Sequence, residues 1–514
     1  MHRRSLRRLP LVALAPALAV FAALVGSSAA GVATSSASGK LVVGRTADID
    51  QFDPHKATAF QSVQTLQLIY GTLVQLTSSL DIVPDLATSW KFSDGAQTLT
   101  FQLRKNVKFH NGAGFDSTDV KASLNRILDP ATAAVARSNL SPITSIDTPA
   151  PTTVVLHMNT PDVPILAALA DINTAILSSA DVASGSFIKN PNGTGPFKFD
   201  KWTPGQSLDL SANTRYYGKP VKLAQVQFRI IPDESSIVSA LRANQVQLGL
   251  ISDPLVARQV KGGGLKVYRT PSLNYHVLQL NARRGPLTKQ FARLAIQCTL
   301  NRKEVLDSAA LGEGSVIGPI TSPAYRSNPN ADRPCPTPNL AKAKRFLKAA
   351  GMPEGFTIQT IVETGEYATA VNEAQSAQAQ LKKVGINLDL QVLDAGTYVK
   401  RWLAADFDAA IALNGGRVDP DTMYNRYFTS TGSLNKVAGF SSPKLDQLFA
   451  QGRATDNVKQ RKAVYRNITK LLEGQAAWVW LFSSYDYRVT TSKVHGFVPM
   501  PNGSLQYLRQ TSLS

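Results

Sequence analysis

The side chains best suited to chemistry lie in short loops that follow apolar runs. Asn414-Gly415-Gly416-Arg417-Val418-Asp419-Pro420-Asp421 offers an amide, a guanidinium and two carboxylates. Glu363-Thr364-Gly365-Glu366-Tyr367 adds two carboxylates and a phenol, and Tyr275 and Tyr485 add further phenols at the points where the chain pattern changes. Groups of these types hold a polar solute by charge and hydrogen bonds. Covalent chemistry would need more. The six histidines have no metal-ligand spacing, and neither His-Glu-x-x-His nor Gly-x-Ser-x-Gly occurs. Residue types alone leave a paired-carboxylate glycosidase open. Gly193-Thr194-Gly195-Pro196 lacks the lysine-serine/threonine ending and following helix of a phosphate loop, so it reads as a tight reversal. Neither a metal site nor a cofactor is expected.

Each candidate has a plainer alternative. Arg417 either contacts ligand or pairs on the surface with Asp419 or Asp421. Tyr275 lines a cleft or belongs to the core. Trp478 and Trp480 share a strand face and read as packing, Asp48 and Asp50 as turn caps, and His276 as a satisfied polar residue. Cys298 and Cys335, 37 residues apart, are either one disulfide, the favoured reading in an exported chain, or two buried thiols. The disulfide would be worth about 2–4 kcal/mol.

Alternating segments position these loops. Trp90–Ser93 and Thr98–Leu103, joined by a glycine-containing turn, form a β-hairpin. Asp116 to Asp119 cap a helix stopped by Pro130. Helices are expected over 62–73, 164–170, 340–350, 370–384, 395–404, 442–450 and 457–473, with one from Asp233 to Ala243. Strands are expected over 152–158, 225–231, 246–251, 275–281, 357–362, 386–392, 408–413 and 476–482. Strand–helix alternation in the second half implies a parallel or mixed α/β sheet, whose strand ends and domain crevices bind ligands.

At 514 residues the chain is too long for one core. Its net charge is +19, with Arg3, Arg4, Arg7 and Arg8 in the first eight residues. These arginines, the apolar run from Leu9 to Val25 and the small residues ending at Ala30 have the layout of a secretory signal, with an uncleaved anchor as the alternative. The paired arginines hint at twin-arginine export. No cysteine lies near the cleavage point, so a lipoprotein is not expected. The remaining basic residues are scattered, which argues against nucleic-acid binding.

One stretch points to a family. Phe101, Leu103, Arg104, Val107, Phe109, His110, Gly112, Asp119 and Val120 stand at the spacing of a signature of the family 5 extracellular solute-binding proteins. Pro84-Asp85-Leu86-Ala87 with Trp90, and Gly193-Thr194-Gly195-Pro196-Phe197, match two more of its hallmarks. The chain therefore resembles the dipeptide-, oligopeptide- and nickel-binding components of ABC importers.

The resemblance implies an α/β, periplasmic-binding-protein-like type II fold with two lobes of mixed sheet joined by a hinge. Residues 1–30 would be a signal peptide, 31–39 a linker, and 40–80, 194–275 and 485–514 lobe I. Residues 81–193 would form a small accessory α+β domain, carrying His110 as a structural residue, and 276–484 lobe II. It implies a non-enzymatic monomer, exported to the periplasm or cell envelope, that passes a small-molecule or peptide ligand to a permease and ATPase complex. A secreted chaperone-like binder and a glycosidase-type enzyme are the alternatives. Tyr275, Asn414, Gly416, Arg417, Asp419, Glu366, Tyr367 and Tyr485 are the expected ligand contacts. The chain departs from the family at Gly416, where peptide binders carry the acidic residue that holds the peptide amine, and at Gly249, where an acidic residue is usual. It also lacks, near Glu363 and Glu366, the arginine that dipeptide binders use for the carboxyl terminus. The expected ligand is therefore a sugar, an anion or a modified peptide.

Overall fold

The computed structural model describes residues 37–326, 328–364 and 369–514. The expected signal peptide and the linker up to residue 36 lie outside them, as do Glu366 and Tyr367. Among the described residues no helix is long and apolar enough to cross a membrane.

The accessory sheet has four antiparallel strands in the order Ala87–Ser93, Thr98–Leu103, Thr153–Met158, Ile143–Ala150. Alternation places Leu99, Phe101, Val154 and Leu156 on one face, fully buried. The helix Ser117–Leu128 contributes Val120, Leu124 and Ile127 to the same core. Asp116 and Asp119 form a reciprocal capping box at its start.

His110 ties this domain to the rest of the chain. Its Nε2 meets the Gly195 carbonyl at 3.0 Å, and its Nδ1 accepts from the Gly193 N–H at 3.3 Å. Burial lowers its pKa to about 4, which keeps the ring neutral at pH 7. Gly193 and Gly195 lie so close to the Ile69 backbone that a Cβ at either would collide with it. The hallmark glycines thus allow two chain segments to touch. The same contact shortens the first helix. It runs Phe60–Ile69, ending before the expected residue 73, because the Gly195 N–H takes the Ile69 carbonyl at 2.8 Å and a strand Val74–Leu76 follows.

A twelve-stranded mixed sheet spans both lobes. In lobe I, Lys40–Arg45 runs parallel to Gln225–Ile230 and Leu248–Ile251. A Cβ at Gly249 would press on Ile237 and Leu241 at 2.9 Å, so the glycine lets the helix Glu234–Arg242 sit close. In lobe II, Phe356–Thr364 runs parallel to Ile386–Asp394 and Ala409–Asn414, and the latter pairs antiparallel with Tyr275–Leu280. The last strand was expected to end at Phe482. It runs Trp478–Thr490, pairing with Tyr275–Leu280 in lobe II and then with Lys266–Pro271 in lobe I. Two adjacent segments therefore cross between lobes, joined where the Ser272 N–H donates to the Ser484 carbonyl at 3.0 Å. The helix Pro420–Phe428, directly after the candidate loop, was not anticipated.

Cys298 and Cys335 are disulfide-bonded, with Cα atoms 5.1 Å apart, inside the lobe II core.

Candidate functional site

The candidate loop begins where the strand Ala409–Asn414 ends, beside the crossing between lobes. Asn414 pairs in register with Tyr275, so both side chains share a sheet face. Tyr275 is fully buried, its ring 5.8 Å from Tyr424. The Tyr275 hydroxyl faces that of Tyr424, while Asn414 Nδ2 and the hydroxyl of buried Ser322 have no hydrogen-bond partner among the described residues. Ser322 is placed here through Thr321, whose hydroxyl donates to the Leu273 carbonyl at 2.7 Å. Burial raises the Tyr275 pKa well above its ordinary value, so the phenol keeps its proton.

Gly416 has no room for a side chain, because a Cβ there would run into the Leu273 carbonyl. Its N–H faces Asn274 Oδ1 at 3.3 Å. The missing acidic residue is thus matched by a close approach of the hinge backbone. Val418 crosses to lobe I, packing in one cluster with Leu76, Leu80, Leu273 and Met500. Polar groups and an apolar wall therefore meet between the lobes. Arg417 is exposed.

Two expectations need correction. The Asp419 carboxylate, expected to face a ligand, is taken up by partners within the fold. It caps the helix Pro420–Phe428, accepts from Asp421 N–H at 2.8 Å, and takes a bidentate pair from Arg461 at 2.5 and 2.8 Å. Nor does Arg417 pair with either acid of its loop among the described ion pairs, because Asp421 is engaged by Arg453 at 3.1 Å. A sequence signal for the Arg461 pair existed. Arg461 continues the buried stripe Tyr465, Ile468 and Leu472 on its helix, and an arginine on an apolar stripe needs a buried acid.

Tyr485, half-buried, pairs with Pro271 at the crossing and has its hydroxyl 3.1 Å from Ser315 Oγ. It is near the hinge but on the lobe I side. Glu363, the first residue of the other candidate loop, is buried two residues beyond Ile361, whose strand partner is Ala410. Alternation puts it on the face shared by Asn414. His276 is fully engaged, with Glu373 at 2.8 Å, Ser484 at 3.0 Å and its ring stacked on Phe482. Trp478 and Trp480 are buried core residues. Asp48 accepts from Trp202 Nε1 and Gly205 N–H, and Asp50 from the Asp50-facing Ser62 hydroxyl, so both brace a turn. Among the described residues no group of three or more His, Cys, Asp or Glu could hold a metal.

Known proteins share this architecture. The sequence profile of the bacterial extracellular solute-binding proteins, family 5 (middle), matches residues 81–435. A probable di/tripeptide-binding protein of Pseudomonas aeruginosa is 28% identical over 462 residues, covering 83% of this chain and 86% of its own. The periplasmic binding protein DppA of Helicobacter pylori, solved with the peptide STSA, superposes with a TM-score of 0.73 at 27% identity, covering 92% of this chain and 98% of its own. AgaA of A. tumefaciens R10, solved with agropinic acid, gives 0.73 at 27% identity, covering 93% and 99%. The matched profile covers well over half of the sequence, and the hallmarks that carry it hold the accessory domain to lobe I: the chain belongs to the bacterial extracellular solute-binding proteins of family 5, which serve ABC importers.

Proposed function

We propose that this protein captures a polar solute without a free amine anchored at the loop 414–418, closing lobe II on lobe I around it. The observation that carries the reading is the junction itself. Asn414 Nδ2 is buried without a described partner beside the buried Tyr275 phenol, next to a glycine that has no room for a carboxylate. An ammonium held there would lack the counter-charge that a dry cleft requires. Hydroxyl, carbonyl or anionic groups suit the amide and phenol, and exposed Arg417 supplies positive charge at the rim. A sugar, an anion or an amine-blocked peptide fits these groups.

The relatives' ligands, a di- or tripeptide in one and agropinic acid in another, suit a scaffold whose specificity lies in loops rather than in the shared core. Exported as a monomer without a lipid anchor, the protein would hand its solute to a permease and ATPase complex. One observation favours a second reading. Glu363 is a buried carboxylate one strand from Asn414, so a cationic group could be held there instead.

A thermal-shift screen against peptides, amine-blocked peptides, sugars and organic anions tests this reading. A solute that binds only the folded protein at 100 times its Kd stabilises it by about 2.7 kcal/mol. The expected hit comes from the neutral or anionic classes. A hit confined to free-amine peptides supports the Glu363 reading instead.

A further inference from the structure

By family resemblance the accessory domain only braces lobe I. The loop after its strand Thr153–Met158, however, reaches the other lobe. The Val163 N–H donates to the Arg453 carbonyl of the lobe II helix Pro443–Ala454 at 2.9 Å. The turn Asp94–Ala96 packs on the same helix, and its Ala96 carbonyl takes the Asp162 N–H at 3.2 Å. Asp162 is only 8% exposed.

The surroundings of its carboxylate are charged. Asp419 and Asp421 face it from the head of the helix Pro420–Phe428, Arg453 from Pro443–Ala454, and Arg461 from Val458–Gly474. Tyr465 and Tyr325 stand beside Arg461, and on the accessory side Asp94 is exposed at its turn. Both cations already have acids of their own. Arg453 Nε donates to Asp421 at 3.1 Å, and Arg461 holds Asp419 by two bonds. Among the described residues no cation lies within 4.0 Å of Asp162. It is therefore a third carboxylate brought to a site with two cations already matched.

We propose that Asp162 is a positioning residue for lobe closure: it meets lobe II when the lobes are together, and the proton it holds there sets the pH range in which they stay together. Burial, and then the Asp421 charge, push Asp162 up to about 7, and burial pushes Asp421 itself up to about 6. Asp421 keeps its Arg453 partner within lobe II whether or not the lobes meet, so Asp162 is the group whose surroundings change most. In parted lobes Asp162 returns to solvent and to the ordinary carboxylate range. Closing therefore takes up a proton. The closed arrangement is favoured as pH falls from about 7 toward the ordinary carboxylate range, and is weakest above about 7.

The inference rests on the hinged capture proposed above, but its test needs no solute, so the two can fail separately. Paramagnetic labels at Lys121→Cys in the accessory domain and Lys459→Cys on the outer face of lobe II report the distance between the domains in the full chain. The ratio of short to long distances should rise at least about ten-fold from pH 8 to pH 5.5. Asp162→Asn, which keeps shape and loses charge, should hold the pH 5.5 ratio at pH 8, with an unfolding midpoint no lower than that of the parent. Asp162→Glu should keep the pH response. A parent ratio that does not move with pH, or an Asp162→Asn profile parallel to the parent's, overturns the assignment. Solute affinity should follow the same profile. If the distance responds to pH while no solute of any class binds, the latch stands and the capture reading fails.

Discussion

In the accessory sheet, Leu99, Phe101, Val154 and Leu156 are fully buried among apolar neighbours. At the lobe junction Asn414 and Ser322 are nearly as deeply buried, yet each keeps a polar atom with no described partner. Burying an unmet polar group costs about 1–3 kcal/mol. The accessory sheet spends its burial on stability, whereas the junction accepts a stability cost at positions where a solute can supply the missing bonds. Sequence hallmarks cluster in the first kind of region, and the proposed selectivity belongs to the second.

The largest effect is expected at Phe101, in the accessory sheet. Phe101→Ala should cost about 3–5 kcal/mol in denaturant unfolding and leave solute affinity unchanged in whatever protein remains folded. A comparable loss, about 3–5 kcal/mol, should follow Arg461→Met, which strands the buried Asp419 carboxylate. If Arg461→Met instead changes affinity with little change in stability, Asp419 is a ligand group after all. Reduction of the Cys298–Cys335 bridge should lower stability by about 2–4 kcal/mol without changing which solutes bind. Gly416→Ala sharpens the contrast, since its methyl must displace the Leu273 backbone at the hinge. It should cost about 1–3 kcal/mol and weaken binding as well, which separates it from the core variants. Smallest in stability is Asn414→Ala. It should move the unfolding free energy by less than about 1 kcal/mol and weaken solute binding about ten-fold, the loss of one buried hydrogen bond.

How legible each region was follows from the range of its physics. The hairpin, the helix capped at Asp116 and the strand–helix alternation of lobe II are local patterns of period, cap and turn. They stand within a few residues of where the sequence places them. The crossing strand was cut short because Ser483 to Tyr485 are polar, and only the pairing of Tyr485 with Pro271 shows that it continues. At the site, the loop after Ala409–Asn414 and the absence of a carboxylate at Gly416 were readable. That Asp419 belongs to Arg461, 42 residues away, is a tertiary fact, as is the meeting of Asp162 with lobe II. His110, expected to be structural, is a joint whose ring is used on the Gly193–Gly195 backbone.

In the proposed capture, the anchor at 414–418 does not hold a free amine. Calorimetric titration of the protein with a matched pair, a short peptide and its N-acetyl form, decides this, with Glu363→Gln as a parallel arm. Acetylation should leave the affinity unchanged or strengthen it, and Glu363→Gln should not alter that ratio. An affinity lost on acetylation would contradict the claim, and its dependence on Glu363 would show where the amine is held.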